Sequence, residues 1–209
     1  MTSITISSPN GYQIRTDATK ARLLDAAEEI FARDGFEGAQ VENIAKSAGR
    51  TKGAIYAHYR SKEDLFLALY EDRTVQKIQL LASRLGESKN RIEAIAQFKS
   101  FLIDFAKDRT WPLLTLEFKL YSVRHPESRE RWLRSSELVN SLGREALQDK
   151  IFGDLSPKQE EEIDFRKLAI VPLLSGLALE SYFQPNLLSE GRLGILLDRL
   201  LDTLLAGFA

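Results

Sequence analysis

Five cations between positions 46 and 62 are the residues whose types and spacing most clearly indicate a chemistry. The run contains no acidic residue and consists of Lys46, Arg50, Lys52, Arg60 and Lys62. Ammonium and guanidinium groups this close together suit a polyanion such as the phosphate backbone of DNA, although a solvated helix face shows the same pattern. Tyr56 and His58 lie inside the run and add hydroxyl and imidazole groups that can bond to phosphates or bases.

The elements that must position these groups are two short helices within residues 41–60. A small residue, Ala45, allows the first helix to approach the second, and Gly49 permits the positive φ of a sharp turn. Ile55, six residues later, fills the gap between the helices, and Thr51 is a suitable N-cap for the second. This spacing is typical of a helix-turn-helix, whose second helix enters the DNA major groove.

The rest of the chain shows helical periodicity and no convincing alternating strand pattern. We therefore predict an all-α fold of about nine helices. Residues 1–15 are polar and aperiodic and are expected to form a disordered tail. Residues 16–62 are expected to form a three-helix DNA-binding domain, and residues 63–209 a helical domain for ligand binding and dimerisation.

The composition argues against an enzyme. The chain has 209 residues, a formal net charge of −1, no Cys and two His. These counts exclude disulfides, thiolate metal sites and a cysteine nucleophile, and they disfavour a multi-histidine metal site. Catalytic and nucleotide-binding motifs such as Gly-x-Ser-x-Gly, the P-loop and Gly-x-Gly-x-x-Gly do not occur. We expect neither catalysis nor a cofactor or metal.

The net charge of −1 also hides an uneven distribution. Residues 11–62 carry nine basic and seven acidic residues, whereas residues 63–209 carry twenty and twenty-three. No secretory signal and no apolar run of membrane-spanning length is visible, which predicts a cytoplasmic protein without a membrane partner.

Residues 19–72, and most sharply residues 49–65 (GRTKGAIYAHYRSKEDL), resemble the DNA-binding domain of the tetracycline-repressor (TetR) family of transcription regulators. The resemblance implies a homodimeric helix-turn-helix protein, in most cases a repressor, that binds a pseudo-palindromic operator and is released by a small ligand. By position it assigns DNA contacts to ten residues: Gln40, Val41, Glu42, Arg50, Lys52, Gly53, Ala54, Tyr56, His58 and Lys62. Among these, Tyr56 and Lys62 are expected at phosphates, and His58 at a phosphate or base.

Two positions depart from the family pattern. Arg50 stands where an aliphatic residue is frequent, so its side chain is expected to be partly exposed and free to join the phosphate-binding set. Glu42 stands where a basic or polar base reader is frequent; its carboxylate either accepts from a cytosine amino group or lies in solvent. Arg15 either reaches a minor groove or is a mobile tail residue.

Aromatic residues on three consecutive helices of the second domain suggest an apolar cavity, although an ordinary core has the same composition. The candidate ligand-binding residues are Phe101, Phe105, Trp111, Leu114, Glu117, Phe118, Tyr121 and Trp132. Glu117 either meets a cationic ligand or is an exposed carboxylate.

The last two helices carry broad apolar stripes, which are typical of an intrachain core and which the family resemblance assigns to a four-helix dimer interface. The candidate interface residues are Leu173, Gly176, Leu177, Leu193, Leu197, Leu200, Leu201 and Leu204. The sequence thus predicts three partners: an operator in double-stranded DNA, a small effector and a second copy of the chain. The alternative is a ligand-binding or protein-interaction dimer that has lost operator binding.

Overall fold

A computed structural model describes residues 11–153 and 156–205 of the chain. Within these ranges the protein is helical and contains no β-strand, which confirms the predicted all-α class of about nine helices. The chain divides between Leu69 and Tyr70 into two compact units, called here the N-terminal and the C-terminal unit. The division lies within one long helix, and the predicted boundary after residue 62 falls earlier in the same helix.

The N-terminal unit contains α1 (Gly11–Gly38), α2 (Val41–Ser47), α3 (Lys52–Tyr56) and the first turns of α4 (Lys62–Gly86). α1 begins at Gly11, before Thr16, where the apolar pattern placed its start, since helical hydrogen bonding does not require the first turns to bury a side chain. The first ten residues of the predicted tail lie outside the described ranges. Gly35 interrupts α1 at a φ of 72°, a backbone conformation that glycine adopts readily.

An aromatic cluster fills the centre of the N-terminal unit. Phe31, Phe36 and Phe66 come from α1 and α4, and their ring centroids lie 5.2 to 5.8 Å apart. Each of the three rings is at most 1% exposed. Leu23, Ile44 and Ile55 are also fully buried, so α1, α2, α3 and α4 all contribute to this core.

The C-terminal unit continues α4 and adds five α-helices: α5 (Arg91–Lys107), α6 (Thr110–Arg124), α7 (Pro126–Leu147), α8 (Pro157–Glu180) and α9 (Glu190–Leu205). A π-helical turn (Gln148–Phe152) follows α7, and a 3-10 turn (Pro185–Leu188) precedes α9. α8 begins after a capping box that Ser156 forms with Gln159.

The main core of the C-terminal unit joins α4, α5, α8, α9 and the π-helical turn. It contains Leu85, Phe98, Leu102, Leu174 and Leu197, each at most 5% exposed. In the described part of the chain, no helix is long and apolar enough to cross a membrane.

Candidate nucleic-acid interface

The turn between α2 and α3 has the geometry that the sequence predicted for a helix-turn-helix. Gly49 adopts a φ of 64°, and the N–H groups of Gly49 and Arg50 donate to the carbonyls of Lys46 (3.1 Å) and Ala45 (2.8 Å). This is the Schellman pattern, in which a left-handed residue allows the last carbonyls of a helix to be satisfied. Ala45 and Ile55 are 2% and 1% exposed, which confirms their predicted place between the helices.

α3 is only five residues long, and its start is fixed by a side chain. The Ala54 N–H donates to Thr51 Oγ1 at 3.2 Å, as the sequence predicted for an N-cap. α4 begins in the same way, because the Asp64 N–H donates to Ser61 Oγ at 3.2 Å. Helices this short do not form alone, so these caps and the buried Ile55 hold α3 in place.

Eight of the ten predicted DNA contacts present atoms on the surface around α2 and α3. Seven are exposed, including Tyr56 at 45%, and Ala54 is half-buried. The other six exposed residues are Gln40, Glu42, Arg50, Lys52, Gly53 and His58. The cations Lys46 and Arg60, which belong to the basic run but were not assigned a contact, are exposed as well.

Val41 differs from the other predicted contacts because its side chain is only 7% exposed. It belongs to the apolar face that attaches α2 to the core, together with Ile44 and Ala45. The Val41 side chain is therefore unavailable to DNA, and the resemblance was too coarse to separate it from its exposed neighbours.

Lys62 also makes contacts within the N-terminal unit that its sequence position did not predict. Its Nζ donates to the carbonyls of Glu37 (2.9 Å) and Ala39 (3.0 Å) and lies 4.9 Å from the centroid of the Phe36 ring. Burial lowers the pKa of this ammonium group. Two of its three N–H groups thus join α4 to the segment between α1 and α2, and the predicted phosphate contact would have to use the remaining one.

Glu42 forms an ion pair on the exposed surface around α2 and α3. Its Oε1 lies 2.5 Å from Lys52 Nζ, and the two side chains remain 56% and 51% exposed. The hydrogen bond from Lys52 lowers the pKa of Glu42, and the same bond raises the pKa of Lys52. The residues are ten positions apart on two helices, so no sequence periodicity indicates their pairing.

The aromatic residues predicted to bind a ligand belong to two places in the C-terminal unit. Phe101 and Phe105 pack against the main core. Trp111, Phe118 and Trp132 form a separate cluster with Tyr70, in which the Tyr70 and Trp132 centroids are 4.4 Å apart. Lys77 lies at the edge of both, 5.7 Å from the Phe105 ring and 5.7 Å from the Trp111 ring.

Leu114 is buried, Tyr121 is half-buried and stacks on His125, and Glu117 is exposed. Burial raises the pKa of Tyr70 to about 12. A cleft of about 360 Å³ opens elsewhere in this unit and contains none of the eight candidates. It is lined by Ser88, Lys89, Asn90, Arg91, Lys150, Ile151, Phe152 and Gly153.

The predicted dimer residues divide between the core and the surface. Leu193, Leu197 and Leu201 are at most 3% exposed and pack inside their own chain, so they are unavailable to a partner. Their spacing of three and four residues indicates an apolar helix face that is buried. The spacing does not distinguish burial within the same chain from burial against a partner chain. Leu173 and Gly176 are exposed, Leu177 and Leu200 are half-buried, and the Leu204 side chain lies outside the described part.

The described residues contain no group of three or more His, Cys, Asp or Glu side chains placed to hold a metal ion.

The surface around α2 and α3 carries exposed cations, hydroxyl and imidazole donors, and a short helix that presents them. These are the features of a binding surface for a polyanion.

Residues 23–69 match the family model for bacterial regulatory proteins of the tetR family. The N-terminal unit thus contains the segment that this family model describes. The match covers the core of the N-terminal unit, both short helices and the start of α4. The family consists of regulators, which agrees with the prediction that the chain is not an enzyme.

Two curated relatives and one solved structure extend the similarity. The HTH-type transcriptional repressor AcnR of Corynebacterium diphtheriae is 25% identical over 62% of this chain and 63% of its own length. The fatty acid metabolism regulator protein of Bacillus subtilis is 28% identical over 58% of each chain. This chain thus spans less than two thirds of either relative.

The crystal structure of the transcriptional regulator FadR from Bacillus subtilis, in complex with stearoyl-CoA, superposes with a TM-score of 0.60. It is 22% identical, and the superposition covers 90% of this chain and 99% of that one. At this identity the likeness establishes a common fold for nearly the whole chain.

Proposed function

We propose that this protein is a transcriptional repressor that binds a pseudo-palindromic DNA operator as a homodimer and is released by a small, largely apolar effector. The observation that carries the proposal is the exposed surface of α2 and α3, where the cations surround a capped recognition helix. Tyr56 and His58 project from the end of that helix. An α-helix fits the major groove, and the flanking cations suit the phosphates on either side.

The homodimer is supported by exposed apolar side chains on α8 and α9. Val171, Leu173 and Leu179 of α8 are 46%, 39% and 38% exposed, and Ile195 of α9 is 59% exposed. Exposed apolar side chains on a folded protein are candidates for an interaction surface. A palindromic operator requires two recognition helices related by a two-fold axis, which a second copy of the chain supplies.

The effector proposal rests on the aromatic cluster of Tyr70, Trp111, Phe118 and Trp132 and on two polar groups on α6. Lys119 Nζ lies 5.4 Å from the Trp132 centroid and forms no ion pair among the described residues, and burial lowers its pKa. The buried Ser122 Oγ has no hydrogen-bond partner in the same part of the chain. Buried polar groups usually have partners, so these two suit a ligand with an acidic or polar head and an apolar body.

Selection from a library of randomised DNA duplexes tests the DNA-binding step. We expect the full-length protein to enrich a two-fold symmetric sequence, and binding to weaken steeply as salt rises. The two histidines provide a matched pair of variants: His58→Ala should lower affinity for the enriched duplex, whereas His125→Ala should not. Failure to enrich any sequence would favour the alternative, a ligand-binding dimer without operator activity.

Sedimentation velocity tests the dimer. We expect a dimer mass at micromolar protein, and Ile195→Glu should shift the protein to monomer and weaken DNA binding. Ile92→Glu provides the control, because Ile92 lies on α5 and is 81% exposed. A monomer mass for the wild type, or an equal shift with both variants, would contradict the interface.

Intrinsic fluorescence tests the effector site, because the only two tryptophans of the chain, Trp111 and Trp132, belong to the cluster. The FadR complex suggests stearoyl-CoA as the first probe. We expect saturable quenching and release of the enriched duplex, with weaker binding after Lys119→Met. Coenzyme A without the acyl chain is the control, and equal quenching by both would contradict an apolar site.

A further inference from the structure

The ion pair between Glu42 and Lys52 lies on the surface that the proposed function turns toward DNA. Glu42 is the second residue of α2, and Lys52 is the first residue of α3. Their charged atoms are 2.5 Å apart, and about half of each side chain remains accessible. The pair therefore presents a hydrogen-bond donor and an acceptor side by side.

Two buried side chains and one cation–π contact restrict the positions of the Glu42 carboxylate and the Lys52 ammonium group. The helices that carry them are fixed to the core by Ile44 and Ile55, which are 0% and 1% exposed. Lys52 Nζ also lies 5.8 Å from the centroid of the Tyr56 ring, so the ammonium group is held from two sides. The order of donor and acceptor along the surface is thus set before any DNA binds.

The major-groove edge of a G·C pair is complementary to such a pair. Guanine presents the acceptors N7 and O6, and the cytosine amino group is a donor beside them. An ammonium group over O6 and N7 and a carboxylate at the cytosine amino group satisfy both sides at once. On a T·A pair the ammonium group keeps one acceptor, thymine O4, and meets the thymine methyl in place of the second, while the carboxylate at the adenine amino group faces the acceptor N7.

We propose that Glu42 and Lys52 act together as one base-reading unit that selects a G·C pair at one position of each operator half-site. The proposal rests on the proposed DNA-binding function. Because the two charges cancel, the unit adds little non-specific attraction to phosphates and contributes mainly to sequence preference. Glu42 is then a specificity-determining residue rather than a solvated acid.

The test compares preferences at each position of the duplex that the full-length wild type enriches from a randomised library. We expect one position in each half-site at which G·C is preferred over A·T by about tenfold, the range of a good two-point base contact. Glu42→Gln should reduce this preference to about twofold and leave the other positions unchanged, because an amide carries a donor as well as an acceptor. Asp25→Asn, which removes the same charge from an exposed position of α1, should change no position.

The double variant Glu42→Gln, Lys52→Gln should lose no more preference at that position than Glu42→Gln alone, since one unit is lost in either case. Preserved preference at every position in Glu42→Gln would overturn the proposal. So would an equal gain of affinity for all duplexes, which would show that Glu42 acts only by repelling phosphates. Enrichment of no sequence by the wild type would overturn the proposed function as well, and so differs from the other two outcomes.

Discussion

In the N-terminal unit, helices of seven and five residues are held by single residues at fixed positions. The five helices that begin within the C-terminal unit are 15 to 24 residues long, and their apolar faces contact several neighbours. A five-residue helix gains almost nothing from its own hydrogen bonds, so its cap, its turn and its one buried side chain each have to be right. A long helix is stabilised by many buried side chains, so no single residue is decisive.

This difference explains why residue spacing is informative in one unit and ambiguous in the other. Ala45, Gly49, Thr51 and Ile55 each have one role that few residue types can fill. In α9, by contrast, an apolar stripe is consistent with a core, a dimer face or both. The following predictions test whether the N-terminal unit is in fact the less tolerant of the two.

The largest effect is expected from the aromatic core of the N-terminal unit. Phe66→Ala removes a ring that is 0% exposed and contacts both Phe31 and Phe36, and it should cost about 3–5 kcal/mol of unfolding free energy. Phe118→Ala, equally buried in the C-terminal unit, should cost a similar amount. Urea unfolding followed by circular dichroism and by tryptophan fluorescence measures both.

Because both tryptophans lie in the C-terminal unit, the fluorescence transition follows that unit. Phe66→Ala should therefore abolish duplex binding while the fluorescence midpoint moves less than it does in Phe118→Ala. Equal fluorescence shifts in the two variants would show that the units unfold as one, and would remove the basis for comparing them.

Two glycines with positive φ give the next comparison. Gly49 and Gly153 have φ values of 64° and 65°, and a Cβ added to either meets no atom within 4 Å. Gly49→Ala should cost about 1–2 kcal/mol of unfolding free energy because alanine disfavours a left-handed φ. Gly153→Ala should cost at least as much, because a ψ of −156° places Gly153 in a region that is essentially restricted to glycine. Gly49→Ala should also weaken duplex binding because it alters the angle between α2 and α3, whereas Gly153→Ala should not. An undiminished affinity in Gly49→Ala would show that the turn tolerates strain.

The N-caps of α3 and α5 form a third pair. Thr51 Oγ1 accepts from Ala54 N, and Asn90 Oδ1 accepts from Glu93 N at 2.9 Å. Thr51→Ala and Asn90→Ala should each cost about 1 kcal/mol. Only Thr51→Ala should lower duplex affinity, since α3 has a single turn to lose, and Thr51→Ser should restore it. Equal duplex affinity for Thr51→Ala and Thr51→Ser would mean that DNA itself organises α3.

The sequence predicted most of the fold and the two short helices of the proposed DNA-binding surface, because helix stops, caps and apolar periodicity are local signals. Gly49 and Thr51 both have the predicted roles. The sequence did not predict the contacts between distant segments. Lys62 bonds to carbonyls more than twenty residues away, and Glu42 pairs with a residue on the next helix.

The sequence predicted which face of a helix is buried, but it did not predict which segment packs against that face. Leu197 lies on an apolar stripe that the sequence identified, and it faces its own chain. Val41, which the resemblance assigned to DNA, does the same. The aromatic residues assigned to one ligand site likewise divide between two clusters. The sequence does not show which aromatic rings pack against each other. The N-terminal unit is therefore better predicted at the level of single residues, as its short helices leave fewer arrangements open.

The smallest effect on stability, and a clear difference in function, is expected from two arginines, of which Arg50 is exposed and Arg84 is half-buried. Arg50 lies beside α3, and Arg84 pairs with Asp104 at 2.9 Å in the C-terminal unit. Arg50→Gln and Arg84→Gln should both leave the urea midpoint unchanged, since surface charges contribute little to folding. Arg50→Gln should also reduce the slope of log affinity against log salt by about one, as expected for the loss of one phosphate contact. A slope unchanged by Arg50→Gln, or changed equally by Arg84→Gln, would place the phosphates elsewhere on the protein and weaken the assignment of DNA binding to the N-terminal unit.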